Sequence, residues 1–103
     1  MMEVELDYST TKTSYKKKIE NRHKYITKIR SKLRPFLNRN GCGLDVRYEY
    51  PNPTIMTIFK NGLVLGSFDI PLNKDMNGIH SASFMAKYIK KYIKNSLKEH
   101  ELK

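Results

Sequence analysis

The dipeptide Asn61-Gly62 is the feature that most constrains the fold of this 103-residue chain. It separates two segments rich in β-branched and apolar residues, 54–60 and 63–70. Asn-Gly favours a two-residue type I′ turn, because both residues tolerate a positive φ. The sequence therefore predicts an antiparallel hairpin. Its predicted register places Lys60 opposite Leu63, Phe59 opposite Val64 and Ile55 opposite Phe68.

The predicted hairpin has two different faces, because side chains alternate across a strand. With an unbroken register, one face is strongly apolar and is expected to lie in the core. The other face is only partly polar, and its exposed apolar residues would suit contact with a partner protein. The first face comprises Ile55, Phe59, Val64, Phe68 and Ile70, and the candidate protein interface on the second comprises Met56, Ile58 and Leu65.

Two segments outside the hairpin have the spacing of amphipathic helices. In the first, Pro35 is expected to end or kink the helix, and residues 40–43 (Asn-Gly-Cys-Gly) to stop it. The second runs from about Ser81 to Lys98. The first stripe is heptad-like, so a helix-mediated homodimer is an open alternative. The predicted buried stripes are Tyr15, Ile19, Ile26, Ile29 and Leu33, and then Ala82, Met85, Ala86, Ile89, Tyr92, Ile93 and Leu97.

Residues 44–50 alternate apolar and charged side chains, which predicts a further strand before the hairpin. The aromatic residues of the strands are expected in the core: Tyr48, Tyr50, Phe59 and Phe68. The predicted fold is α+β, a three-stranded antiparallel β-meander packed by two helices in the order α-β-β-β-α. Residues 1–103 are expected to form one domain, with an irregular lead-in over 1–11 and a frayed tail over 99–103.

Positive charge is concentrated in the first predicted helix. The formal net charge of the chain is +10, and residues 12–39 contain eleven lysine or arginine residues against one acid, Glu20. Such a segment favours a polyanionic partner. The first hypothesis is therefore a non-catalytic DNA- or RNA-binding protein that contacts phosphates with little sequence preference. The candidate phosphate-binding residues are Lys16, Lys17, Lys18, Arg22, Lys24, Lys28, Arg30, Lys32 and Arg34.

The second predicted helix carries a row of lysines opposite its apolar face. These lysines would extend the first set only if both helices lie on the same side of the sheet. Lys87, Lys91 and Lys94 are the candidates for that extension, and Tyr88, at the edge of the apolar face, is the candidate for base stacking.

A second hypothesis explains the same charge through a protein partner. In this alternative the chain is a small phage or mobile-element protein that binds an acidic surface of a host protein, as an inhibitor or adaptor. The partly apolar hairpin face at Met56, Ile58 and Leu65 motivates it.

The predicted order of elements is similar to that of the double-stranded-RNA-binding domain. The chain lacks that family's loop motif with Gly-Pro and His, and Met85-Ala86-Lys87 stands where the family's second helix begins with Lys-Lys-x-Ala-Lys. The segment from Asn61 to Asp69, with the Ala- and Tyr-rich helix after it, resembles the last hairpin and helix of APETALA2-like DNA-binding domains. The exposed Arg and Trp of that family are absent, and we assign the chain to neither family.

Other classes of function have little support in the sequence. The return strand, LVLGSFDIP, offers no acid and E-x-K pair of the kind a restriction-type nuclease needs, and we expect no enzyme activity. The three histidines have no neighbours at metal-ligand spacing, so no metal and no cofactor is predicted. A single cysteine, Cys42, and an acidic start without an apolar segment favour a cytoplasmic location without membrane association.

Overall fold

A computed structural model describes the backbone of residues 2–48 and 54–101, and the side chains of 15–48 and 54–99. Its elements are α1 (Met2–Arg39), β1 (Gly43–Tyr48), β2 (Thr54–Lys60), β3 (Leu63–Ile70) and α2 (Ala82–Glu101). The three strands form one antiparallel sheet in the order β1-β2-β3. The predicted α+β fold and element order are thereby confirmed. Tyr50, which was predicted in the core, lies outside the described residues.

Helix α1 begins earlier than predicted, and it continues through Pro35 to the predicted stop. It begins at Met2, so the expected irregular lead-in was wrong for residues 2–11. The reason is that no glycine or proline precedes Pro35 to interrupt it. Pro35 does not end the helix either. Pro35 has no amide hydrogen, so the Ser31 carbonyl lacks its usual helical hydrogen bond. Both residues are exposed, and water can therefore bind this carbonyl. Helix α2 likewise continues to Glu101, into the predicted frayed tail.

Helix α1 ends in a Schellman motif at the predicted stop. Gly41 has a φ of +65°, in the left-handed region. The Cys42 amide donates to the Leu37 carbonyl at 2.9 Å, and the Gly41 amide donates to the Asn38 carbonyl at 3.3 Å. These bonds satisfy carbonyls that the helix end would otherwise leave free. The chain therefore reverses sharply and enters β1 at Gly43.

The hairpin register agrees with the prediction only beside the turn. Lys60 pairs with Leu63 and Phe59 with Val64, and Asn61 and Gly62 take φ values of +51° and +79°. The register then shifts, so that Ile58 pairs with Gly66 and Leu65 is the additional residue of a β-bulge. Beyond the bulge the pairs are Thr57–Ser67, Met56–Phe68, Ile55–Asp69 and Thr54–Ile70.

The bulge and the helix positions reverse the predicted faces on β2 and beside the turn, whereas Phe68 and Ile70 are buried as predicted. Met56 and Ile58 are fully buried at 0% exposure, and Leu65 is also buried, so the predicted protein interface is part of the core. Phe59 and Val64, which were predicted in the core, are 38% and 57% exposed. The other side of the sheet, here called the open sheet face, carries Asp45, Arg47, Ile55, Thr57, Phe59, Val64, Ser67 and Asp69.

Both helices cover the same face of the sheet. Helix α1 packs along β1, α2 packs along β3, and the helices pack against each other. Helix α2 starts beside residues 21–28 of α1, and near its end the Ser96 hydroxyl donates to the Leu65 carbonyl beside the hairpin turn. Since α1 also ends at the turn side, where Gly43 pairs with Phe59, the two helices run in the same direction. The core between helices and sheet includes Ile26, Ile29, Leu33, Met56, Ile58, Ile89 and Ile93.

Candidate nucleic-acid interface

Long stretches of both helices carry cations and no acids, between Glu20 and the end of α1 and before Glu99 in α2. Residues 21–44 and 76–98 contain no Asp or Glu, whereas α1 from Asn21 onward and α2 together contribute twelve lysine or arginine residues. Ordinary solvated helices intersperse acids among their lysines. Every formally charged side chain of residues 21–39 and 82–98 is therefore a lysine or an arginine.

The core packing of α1 decides where its cations lie. Burial of Tyr25, Ile26, Ile29 and Leu33 turns one side of the helix toward the sheet and α2. Lys24 and Lys28 border a groove whose other wall is the start of α2, and Lys32 is also exposed. Two arginines lie on the opposite flank, beside β1: Arg30 and Arg34 line a depression with Cys42 and Leu44.

The lysines of α2 point away from the sheet. Its buried positions, from Ala82 to Ile93, leave Lys87, Lys91, Lys94 and Lys98 exposed and Lys90 half-buried. Because both helices lie on one face of the sheet, the condition for joining the two lysine rows is met. The joined surface, here called the cationic face, comprises Lys24, Lys28, Lys32, Lys87, Lys90, Lys91, Lys94 and Lys98.

The groove between the two helices is held by specific contacts. The Tyr25 hydroxyl donates to the His80 carbonyl at 2.6 Å, and the Asn21 amide nitrogen donates to the Asp75 carbonyl at 3.1 Å. Burial raises the pKa of the Tyr25 hydroxyl above its ordinary value, which keeps it a neutral donor. A Cβ on Gly78 would overlap the Tyr25 ring, so only glycine permits this approach. Periodicity identified neither Tyr25 nor the loop before α2 as part of this surface.

Arg22 differs from the other candidate cations of α1. Its guanidinium carbon lies 4.2 Å from the centroid of the Tyr48 ring, in cation–π geometry. Arg22 is half-buried, and Tyr48 is 45% exposed rather than in the core as predicted. This pair joins α1 to the end of β1, so Arg22 is structural as well as cationic.

Three further candidates, Lys16, Lys17 and Lys18, precede the first described contacts of α1 with the rest of the domain. Lys16 and Lys17 are exposed and Lys18 is half-buried. Two apolar side chains here, Tyr15 and Ile19, are 55% and 37% exposed, although they were predicted on the buried stripe. The cationic surface of α1 thus continues past the point where its packing against the domain ends.

Tyr88, the candidate for base stacking, is exposed at the edge between α2 and β3. Its ring makes an edge-to-face contact with Phe68 at a centroid distance of 6.2 Å, and Tyr92 makes a similar contact at 5.2 Å. Tyr92 is half exposed, so its predicted burial was wrong. Both tyrosine rings thus contact Phe68, which remains in the core as predicted.

Within the described residues, no three His, Cys, Asp or Glu side chains lie close enough to hold a metal ion. Burial raises the pKa of the Cys42 thiol, partly offset by the positive charge of Lys60. Within the same residues, no helix is long and apolar enough to cross a membrane.

Comparisons of the chain with protein-family models, with curated proteins and with solved structures gave no match.

Proposed function

We propose that this protein binds nucleic acid without catalysing a reaction, through the cationic face. The observation that carries the proposal is the absence of acids from residues 21–39 of α1 and 82–98 of α2, two stretches whose lysines share one side of the domain. A duplex presents about one negative charge per 1.7 Å of its axis, and each neutralised phosphate releases counterions. A row of lysines on one helix, with about 6 Å between positions four residues apart, can reach several phosphates at once.

The chemistry of these side chains favours backbone contacts over base contacts. Lysine is a flexible point charge, whereas base reading uses the planar forks of Arg, Asn or Gln. Of the exposed arginines of α1, Arg30 and Arg34 lie on the β1 flank rather than on the cationic face, and Arg39 lies in the last turn of the helix. The protein is therefore proposed to bind with weak sequence preference and a steep dependence on salt. The single cysteine supports a reducing, cytoplasmic location.

The test is a salt titration of binding to labelled duplex DNA, single-stranded DNA and duplex RNA by fluorescence anisotropy. A triple variant, Lys28→Glu, Lys32→Glu and Lys91→Glu, reverses charge on the cationic face. A matched control, Arg47→Glu, Lys60→Glu and Lys74→Glu, gives the same net charge on other parts of the surface. If the proposal holds, the first variant loses most of its affinity. Its slope of log K against log salt should fall by about 2–3, since three phosphate contacts are lost.

The control variant separates a located interface from the effect of net charge. Near 0.15 M salt the screening length is about 8 Å, so charges elsewhere on the domain should change affinity little. Equal losses in both variants would contradict a defined cationic face. Absence of binding to all three nucleic acids at low salt would reject the proposal and favour the alternative, an acidic surface of a partner protein.

A further inference from the structure

The apolar stripe of α1 extends beyond the part of the helix that packs in the domain. Ile26, Ile29 and Leu33 on this stripe are buried in the core. Ile19 and Tyr15 continue it about two and three helical turns before Ile26, yet both are exposed. The helical backbone reaches still further back, to Met2. A helix with an exposed stripe of this kind can bury it against another helix.

The order of charges along α1 indicates which partner helix could cover the exposed stripe. The first residues of α1 contain three acids, Glu3, Glu5 and Asp7, and Lys16, Lys17 and Lys18 follow about three turns later. A helix that is acidic at one end and basic further on is complementary to a second copy of itself in antiparallel orientation. A parallel pair would instead align acids with acids and lysines with lysines.

We propose that residues 2–20 of α1, here called the projecting segment, pair antiparallel with the same segment of a second copy of this chain. The register that matches the apolar positions places Ile19 opposite Val4 and Tyr15 opposite Tyr8. The apolar side chains of the stripe then meet across the two-fold axis.

The charges fit that same register. Residues on the same flank of two antiparallel helices approach each other across the interface. By helical phase, Lys16 shares a flank with Glu5 of the other copy and Lys18 with Asp7, each offset by about 3 Å along the axis. The two-fold axis repeats both pairs. Lys12 meets its own copy near the axis, and this like-charge contact limits the affinity.

The first test is sedimentation velocity of the full chain at neutral pH without nucleic acid, which separates its outcome from that of the proposed function. The expected species has twice the monomer mass of 12.1 kDa. Ile19→Asp places a charge on the stripe and should weaken dimerisation about tenfold or more. The matched control is Thr27→Asp, an exposed position on the same helix, which should remain dimeric. Lys12→Ala should tighten the dimer.

Circular dichroism of each variant establishes that the domain is folded. A wild-type chain that stays monomeric at about a hundred micromolar, a concentration high enough for weak interfaces, would overturn the proposal. Equal dimerisation of Ile19→Asp and wild type would overturn it as well.

Cysteine cross-linking tests the orientation, in a Cys42→Ser background. In the antiparallel pair, Thr11 lies next to its own copy near the two-fold axis, so Thr11→Cys should form a disulfide-linked dimer. Ile19→Cys should not, because the two copies of position 19 are roughly 22 Å apart along the axis. A mixture of Val4→Cys and Ile19→Cys chains should cross-link to each other. Self-cross-linking at position 19 would indicate a parallel pair and overturn the proposed register.

Discussion

The two outer surfaces of this domain differ in a way that the net charge of +10 does not reveal. The helical layer presents twelve cations and no acid over residues 21–39 and 82–98. The open sheet face combines two acids with one arginine, a pair of hydrogen-bonded hydroxyls from Thr57 and Ser67 at 3.2 Å, and half-exposed apolar side chains. Its charged residues are Asp45, Arg47 and Asp69. The domain thus concentrates its charge on one side, and a polyanion would meet that side first.

The difference also shows that exposure of apolar groups and concentration of charge are separate properties here. Phe59 and Val64 are exposed on the nearly neutral face, and Phe84 and Tyr88 of α2 are exposed on the charged side, so apolar exposure does not follow the charge. Single substitutions can therefore test core packing, the contacts that hold α1 in place, and surface charge separately.

The largest expected effect distinguishes the two faces of strand β2. Ile58→Ala removes a fully buried side chain and should lower the free energy of unfolding by about 2–5 kcal/mol. Phe59→Ala, one residue further on, removes a larger side chain that is 38% exposed and should cost only about 1–2 kcal/mol. Urea denaturation measures both. A reversed order would mean that the open sheet face is the buried one.

The next largest effect is a loss of stability when the loop before α2 can no longer pack against Tyr25 of α1. Gly78→Ala should destabilise the fold by about 1–3 kcal/mol, because the added methyl group overlaps the Tyr25 ring. Tyr25→Phe, which keeps the ring and removes the bond to the His80 carbonyl, should cost about 1 kcal/mol. Thermal melts compare the two variants. A Gly78→Ala protein as stable as wild type would show that the loop does not pack closely on Tyr25.

A smaller effect on stability distinguishes Arg22, which contacts Tyr48, from the exposed Lys28 on the same helix. Arg22→Ala should lower stability by about 0.5–1 kcal/mol through loss of the Tyr48 contact. Lys28→Ala should leave stability unchanged within about 0.5 kcal/mol, because Lys28 is exposed. In the proposed complex, Lys28→Ala should instead reduce the salt slope of binding by about 1. Similar stability losses in both variants would argue against a special role for Arg22.

The smallest expected effect is on the reactivity of Cys42, which lies between α1 and β1. Because burial raises the pKa of Cys42, its thiolate fraction at pH 8 is below that of an ordinary cysteine. Iodoacetamide should therefore modify the native protein more slowly than the urea-unfolded chain. Lys60→Met should slow the reaction further, since Lys60 favours the thiolate. Native and unfolded rates that are equal would contradict this burial.

The raised pKa of the Cys42 thiol also makes the stability of the fold depend on pH. A thiol pKa that is higher in the folded state stabilises the fold below the ordinary cysteine pKa. That contribution is lost as the pH rises through the ordinary value toward the raised one.

Local signals in the sequence predicted much of the fold. The Asn61-Gly62 turn, the helix stop at Gly41 and the buried faces around Ile29 and Ile89 are all confirmed. These features depend on neighbours within a few residues, where backbone preference and periodicity act directly. Gly66, a glycine inside a strand, was the available signal for the bulge, because glycine in a strand commonly marks one.

The candidate surface was predicted less completely. The lysines and arginines of both helices could be named, because a charged residue on an amphipathic helix faces away from the apolar stripe. The distinct position of Arg22 over Tyr48, and the groove lined by Tyr25 and Gly78, depend on residues more than twenty positions apart. No local pattern contains that information.

By itself, the sequence determined the elements, their order, the hairpin turn and the distribution of charge along the chain, since each follows from short-range preferences. Only the tertiary structure decided that Met56 and Ile58 are buried together with Phe68 and Ile70, because the bulge at Leu65 changes which side chains of β2 and β3 share a face. It also decided that the two lysine rows share one side. That outcome required α1 and α2 to cover the same face of the sheet, a choice governed by long-range packing.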